Sequence, residues 1–250
     1  MKTLTAEKLE AHIQKHLNET PENLRRIVST LRQFFRFCAK EKYTSMDFSG
    51  MVPSIPRYRY TSIPKGMADS ALQHMLNGIN RDTQKGARDY AVLLLLMGYG
   101  IRGKQVAELQ FEDIFWKRST IRFRPLKGGK EAILPLMDAV GEAIIQYLRY
   151  RPESQFKEVF LSIKAPIRPL SGLAITQITR LHMVKAGVKV PGSGTGTLRH
   201  SWAIRALADN SSIKTIADVF GHRCINTTFI YAKADLQTLR QVIMPWPEGR

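Results

Sequence analysis

The stretch GARDYAVLLLLMGYG, residues 86–100, constrains this chain most. At helical periodicity its apolar side chains cover every face, so a helix here has no side fit for water and must lie inside a core. It is also too short to cross a bilayer, which takes about 20 apolar residues, and Gly98 and Gly100 interrupt its end. Apolar residues make up 44% of the 250, enough to build a core around such a helix.

Other helices are expected on both sides. MADSALQHMLNGI precedes it, and DAVGEAIIQYLRYR, LAITQITRLHMVKAGV (closed by Gly187), TLRHSWAIRALADN and SIKTIADVFGH follow. The stretch FGHRCINTTFIYAKAD, residues 220–235, is read as opening one more helix. In STIRFRPLKGGKEAILPL, Ile121 and Phe123 alternate with Arg122 and Arg124 before a Gly-Gly turn and a second apolar run, the pattern of a β-hairpin. The fold class is therefore mainly α with a small β-sheet.

A domain boundary is expected in SGMVPSIPRYRYTSIPKG, residues 49–66, where Pro53, Pro56 and Pro64 forbid a continuous helix. This divides the chain into a helical part, 1–48, a linker, 49–66, and a larger domain, 67–250. In the first part, Leu9, Ile13 and Leu17 form one helical stripe, and Leu24, Ile27, Val28, Leu31, Phe34 and Cys38 form a stronger one. Thr20-Pro21-Glu22 between them is a helix start. A further stripe, Leu236, Leu239, Val242 and Ile243, fits docking on a neighbouring molecule or packing on its own domain.

Lys and Arg number 38 against 21 Asp and Glu, a net charge of +17, with a basic excess on both sides of residue 66. Such a balance speaks of polyanionic partners. Spread along a folded chain, it favours a protein that wraps nucleic acid over one with a basic tail. RYRY interleaves charge and rings, making Arg57 and Arg59 candidate DNA contacts, as are Arg122, Arg124 and Lys130 on the hairpin. No signal-peptide pattern is present, and the two cysteines, Cys38 and Cys224, lack metal-ligand spacing and read as free thiols of a reducing cell interior. There is no G-x-x-x-x-G-K-[ST] phosphate loop and no carboxylate set for two-metal hydrolysis. Glu108, Glu112 and Asp113 are close together but read as local caps or ion pairs. No cofactor is expected.

Four spots can carry chemistry: GYGIRGKQVAEL with Arg102, LKGGKEAILPL with Lys127, TGTLRHSWAIR with Arg199, and GHRCINTTFIY with His222 and Tyr231. Singly, each has an ordinary explanation as a surface cation, a cap or a half-buried ring. In this order and spacing, over about residues 67–240, they resemble the tyrosine recombinase (phage integrase) family. G-I-R-G resembles the first arginine box, K-G-G-K the hairpin lysine box, L-R-H-S the second arginine box, and F-G-H…T-T…Y the final box.

The resemblance implies catalytic places for Arg102, Lys127, Arg199, His222 and Tyr231. The phenol of Tyr231 attacks a DNA phosphodiester and forms a 3′-phosphotyrosine. Arg102 and Arg199 fork onto the non-bridging oxygens, a role suited to a planar guanidinium. His222 bonds the same phosphate, and Lys127 protonates the leaving 5′ oxygen. The broken phosphodiester's energy is kept in the covalent bond, so no ATP is required. The resemblance also implies a helical DNA-clamping domain ahead of the catalytic one, double-stranded DNA and Holliday junctions as partners, and a homotetramer. It implies no membrane, and the cytoplasm of a prokaryotic cell or a virus or mobile-element origin.

Two departures stand out. The clamp usually has about four helices, and only two fit before Pro53, so this part reads as shortened. The second arginine box is usually H-x-x-R, and its first position here is Gly196, which cannot relay a proton. His200 is not expected to replace it: members of the family often carry a histidine there too, and adjacent helix positions point about 100° apart. Loss of one general acid/base costs ~10²–10⁴ in rate, so an impaired enzyme is expected. Two alternatives to an active recombinase remain: a DNA-binding accessory or decayed integrase, and a type IB topoisomerase-like nick-and-reseal enzyme.

Overall fold

The computed structural model describes residues 6–15, 20–56, 66–126, 128–188 and 194–234. The chain forms two compact units, residues 1–61 and 62–250.

In the first unit, α1 (Ala6–Gln14) and α2 (Pro21–Lys40) are followed by a 3₁₀ turn, Phe48–Met51. The Thr20 hydroxyl accepts from the Asn23 N–H and Pro21 occupies the first turn, the expected helix start. Leu9, Ile13, Val28, Phe35 and Val52 are buried together, with Leu24 and Leu31 at their edge. The buried stripe of α2 runs through Phe35, and Phe34, expected inside, is 47% exposed. Val52 belongs to this core, and its carbonyl accepts from Arg32 Nη2 at 2.8 Å. Part of the segment expected as linker is thus packed onto α2. Leu17 and the stripe at 236–243 lie outside the described residues.

The second unit is arranged around α4 (Gln84–Tyr99), preceded by α3 (Asp69–Asn77). Ala91, Val92, Leu93, Leu95 and Leu96 of α4 have no exposure, as an apolar helix with no wet face requires. α5 (Gly103–Ala107) leads into β1 (Ile114–Phe115), β2 (Thr120–Phe123) and β3 (Ala132–Pro135). These make an antiparallel sheet in the order β1-β2-β3, with Ile121 opposite both Ile114 and Leu134. α6 (Asp138–Leu148) and α7 (Gly172–Lys185) complete the main core. The Tyr99 hydroxyl donates to the Pro135 carbonyl (2.8 Å) and accepts from the Met137 N–H (2.9 Å), tying the end of α4 to β3.

An ionic cluster is sealed inside the main core. The Asp89 carboxylate, fully buried, accepts from Arg88 Nη2 (2.7 Å) and Nε (3.0 Å) and from His182 Nε2 of α7 (3.0 Å). Burial pushes the Asp89 carboxyl up, but the His182 hydrogen bond and the Arg88 charge outweigh it and hold it below the usual carboxylate range. Among the described residues, no helix is long and apolar enough to cross a membrane.

α8 (Gly194–Ala208) and α9 (Ile213–Val219) build a second, smaller core from Ala203, Leu207, Ile216, Phe220 and Tyr231. Among the described residues beyond α9, which end at 234, the expected helix does not form. The chain instead makes two 3₁₀ turns, Ile225–Thr227 and Phe229–Ala234.

Candidate active site

Arg199 points inward from α8 and is 8% exposed. A guanidinium so buried needs partners, and it has three. Nη1 donates to the Gly100 carbonyl at 2.8 Å, Nη2 donates to His222 Nε2 at 2.9 Å, and Cζ lies 3.5 Å from the centre of the Phe220 ring. Gly100 is where α4 stops. Its φ of +60° turns the chain, and its N–H bonds back to Leu96. The first and second arginine segments therefore meet at one glycine.

Arg102 stands two residues further on, exposed at the head of α5. Its N–H donates to Gln105 Oε1 (3.1 Å), and Gln105 Nε2 donates to the Arg124 carbonyl (3.1 Å), fixing the head of α5 to the hairpin. Its charge is felt at Arg199, His222 and Tyr231.

His222 follows Gly221, which has φ +62°. Arginine can only donate, so His222 Nε2 accepts, and the ring proton sits on Nδ1, which donates to Thr228 Oγ1 at 2.7 Å. Burial, then Arg199 and Arg102, lower the His222 imidazole to about 4, so it is neutral at pH 7. Burial and the Arg102 charge likewise lower Arg199 to about 9, which leaves it cationic at pH 7.

Tyr231 is 2% exposed. Its ring packs on Phe220 with centroids 6.2 Å apart, and its hydroxyl lies 2.8 Å from His200 Nδ1. Burial raises the phenol above its usual 10, while Arg199 and Arg102 pull the other way. His200 is lowered by burial and then by Arg199. One platform, Phe220, thus carries Arg199 on its face and touches both His222 and Tyr231.

Of the remaining candidates, Lys127, Arg57 and Arg59 lie outside the described residues. The turn around position 127 is defined on its far side: the Lys130 N–H donates to the Gly221 carbonyl at 3.1 Å. This contact is backbone on backbone. A Cβ on Gly221 would lie 2.5 Å from the Lys130 carbonyl oxygen, and one on Gly129 would lie 2.8 Å from that of Gly221. Lys130 itself is exposed. Arg122 and Arg124 are turned to acidic partners. Both bond the fully buried Asp113, Arg122 Nη2 at 2.7 Å and Arg124 Nε at 3.1 Å, and Arg124 Nη2 also bonds Glu112 at 2.6 Å. Asp113 is the local ion-pair partner expected of it.

The sequence matches the phage integrase family over residues 66–238. The chain belongs to the phage integrase family. The Sinorhizobium fredii (strain NBRC 101917 / NGR234) protein y4rA, whose name carries the words integrase/recombinase, is 37% identical to this family member over 238 residues, covering 94% of this chain and 58% of that one. The tyrosine recombinase XerD of Staphylococcus aureus is 29% identical over 229 residues, covering 90% and 76%. The chain spans 58–60% of the length of y4rA and its companion y4rF. In fold, this integrase-family chain resembles the XerH recombinase in a post-cleavage complex with its difH substrate, with a TM-score of 0.76 at 16% identity, over 96% of this chain and 72% of that one.

Three residues that hold the integrase-family site together do not stand out in the sequence. Phe220 stands next to the glycine of the final box, and an aromatic ring two positions before that box's histidine is its one signal. Thr228, fully buried, accepts the His222 Nδ1 proton that the Arg199 contact leaves there. His200 is discounted by the angular argument. That argument holds for Arg199, whose partners lie elsewhere, but the 3₁₀ turn brings Tyr231 to the His200 side of α8.

Proposed function

We propose that this chain is a site-specific DNA recombinase that cleaves and rejoins DNA through a 3′-phosphotyrosine at Tyr231. The observation that carries the reading is the gathering of Arg199, His222 and Tyr231 around Phe220 within reach of the Arg102 charge.

A phosphodiester entering beside Arg199 meets two guanidiniums and the His222 ring. Binding the anion exchanges the Arg199–His222 contact for charge-assisted bonds from Arg199, and His222 donates to the same anion once its ring proton moves to Nε2, with the Thr228 hydroxyl then donating to Nδ1. The positive charges stabilise the extra negative charge of the pentavalent transition state, in a site already partly dry. Lys127 protonates the 5′ oxygen as it leaves, and Arg57, Arg59, Arg122, Arg124 and Lys130 contact the DNA backbone. The protein acts as a homotetramer on two duplexes, an arrangement supported by the fold it shares with a lambda integrase tetramer bound to a Holliday junction (TM-score 0.63, 15% identity, 90% of this chain and 66% of that one). Gly196 leaves the usual histidine position of the second arginine box empty, and this favours a second reading, a protein that binds sites but cleaves slowly.

The test is covalent capture. Incubation with nicked duplexes traps a protein–DNA adduct stable to detergent, because the short strand beyond the break diffuses away. Wild type is expected to form it and Tyr231→Phe is not, with DNA affinity retained. An adduct on Tyr231→Phe refutes the assignment, and none on wild type favours the second reading.

A further inference from the structure

The family's proton-handling histidine is missing at Gly196, yet an imidazole lies against the nucleophile. Gly196 and His200 are four residues apart in α8, so they share a face one turn apart. Helical side chains lean toward the N-terminus, which for His200 is the direction of residue 196. Gly196 has no side chain to stand in its way. The result is the 2.8 Å contact between His200 Nδ1 and the Tyr231 hydroxyl, within the 2.6–3.2 Å reach of a general base.

We infer that His200 is the proton acceptor for Tyr231, taking from one turn further along α8 the part that residue 196 cannot play. This rests on the recombinase reading of Tyr231. In the attack, the Tyr231 O–H proton moves to His200 Nδ1 while the phenol oxygen forms its bond to phosphorus. The bond from phosphorus to the 5′ oxygen breaks, and that oxygen takes its proton from the Lys127 ammonium. On rejoining, the 5′ hydroxyl gives its proton back to Lys127 and attacks phosphorus, and the His200 imidazolium returns the other proton to the departing phenolate. Every proton and bond is accounted for with no further reactant. Burial and the adjacent Arg199 disfavour imidazolium, so His200 is unprotonated before the attack, and the positive charge it gains is balanced by the negative charge arriving at phosphorus. The same contact admits a rival meaning, in which His200 is a catch that holds Tyr231 down until DNA arrives.

The test uses the full chain and a randomised pool of nicked duplexes, from which wild-type adducts are recovered and one selected duplex is taken for single-turnover rates. His200→Ala is expected to slow adduct formation by ~10²–10⁴, and added imidazole is expected to restore part of the rate. His200→Asn places an amide oxygen where Nδ1 stood, so it keeps the hydrogen bond but cannot take the proton, and it is expected to stay slow. Unfolding midpoints of both variants show whether the fold is intact, and imidazole rescue separates lost chemistry from lost structure. A His200→Asn protein at the wild-type rate overturns the proposal in favour of simple positioning. A His200→Ala protein that is faster overturns it in favour of the catch, and an unchanged rate leaves His200 without a role. No wild-type adduct at all defeats the recombinase reading first, and this inference with it.

Discussion

Replacing Gly100 by alanine probes the point where the two arginine segments join. The backbone cost comes first: φ of +60° is left-handed, and a residue with a Cβ gives up about 1–2 kcal/mol there. The steric cost comes second. The new Cβ would stand 2.8 Å from Phe220 Cε1, 2.9 Å from Trp202 Cγ and 3.0 Å from Trp202 Cβ. Neither neighbour is a free end. The indole N–H of Trp202 is bonded to the Gly98 carbonyl at 2.7 Å, and Phe220 is 1% exposed beneath Arg199. Overpacking of this kind costs about 1–3 kcal/mol, for a total of roughly 2–5 kcal/mol. Gly187 provides the control. Its φ is +67°, but a Cβ there meets nothing within 4 Å, so Gly187→Ala bears the backbone cost alone. The assay is urea unfolding followed by tryptophan fluorescence, which reports the second unit because Trp116, Trp202 and Trp246 all lie beyond residue 62. Gly100→Ala is expected to lower the midpoint clearly more than Gly187→Ala, with the slope unchanged. It should also slow cleavage on saturating DNA, because Phe220 shifts under Arg199. Equal midpoint shifts for the two variants would refute the reasoning, since the ring contacts would then cost nothing.

Arg102→Ala and Arg199→Ala are each expected to lower the cleavage rate far more than DNA affinity; full rate on saturating DNA with weakened binding would make them ordinary phosphate contacts. Asp89→Asn leaves the buried Arg88 without its counter-charge and is expected to cost about 3–5 kcal/mol, read as a urea midpoint; a cost below about 1 kcal/mol, the worth of an ordinary hydrogen bond, would contradict the ionic account. The pH dependence has a defined sign. His222 is held near 4 in the fold against its usual 6.5, so the unfolded chain binds more protons between these values, and stability falls as pH drops through that window. His200 acts in the same direction, whereas Asp89 loses its contribution only below its usual 3.8. His222→Gln is therefore expected to flatten part of the slope between about pH 7 and about pH 4, and an unchanged slope would show that the ring is not held neutral.

The elements with strong patterns are legible in the sequence. The all-apolar α4, the capped α2 and the alternating hairpin stand where their patterns place them, because period and turn chemistry are local. The strand β1 has no such signal: two residues have no period, and Ile114 and Phe115 are a strand only because Ile121 and Thr120 lie opposite. The stretch after His222 carries helical spacing without forming a helix. Asn and Thr side chains in general favour turns over helix interiors, and the tight turns let Thr228 reach His222 and Tyr231 reach His200. In the site, residues with chemistry specific to one box are visible from order and type. The ring that supports them, Phe220, and the histidine that meets the phenol are not, because each acquires its meaning from a partner on another element. Direction along a helix is a sound guide for Arg199 and too narrow a one for His200, which answers to residue 196 as well as to its neighbour.

The seam between Lys130 and Gly221 links two parts of the proposed catalytic set through main chain. Side chains can swing independently; here the turn that carries Lys127 and the loop that presents His222 are fastened by one N–H to one carbonyl, with glycines leaving no padding between them. Such a bond is worth about 0.5–1.5 kcal/mol, so the joint opens and closes readily while still biasing both sides. By reciprocity, whatever displaces the loop around Gly221 loosens the lysine's turn to the same degree. On the proposed reading of the site, the turn and the loop are then set or released as a pair.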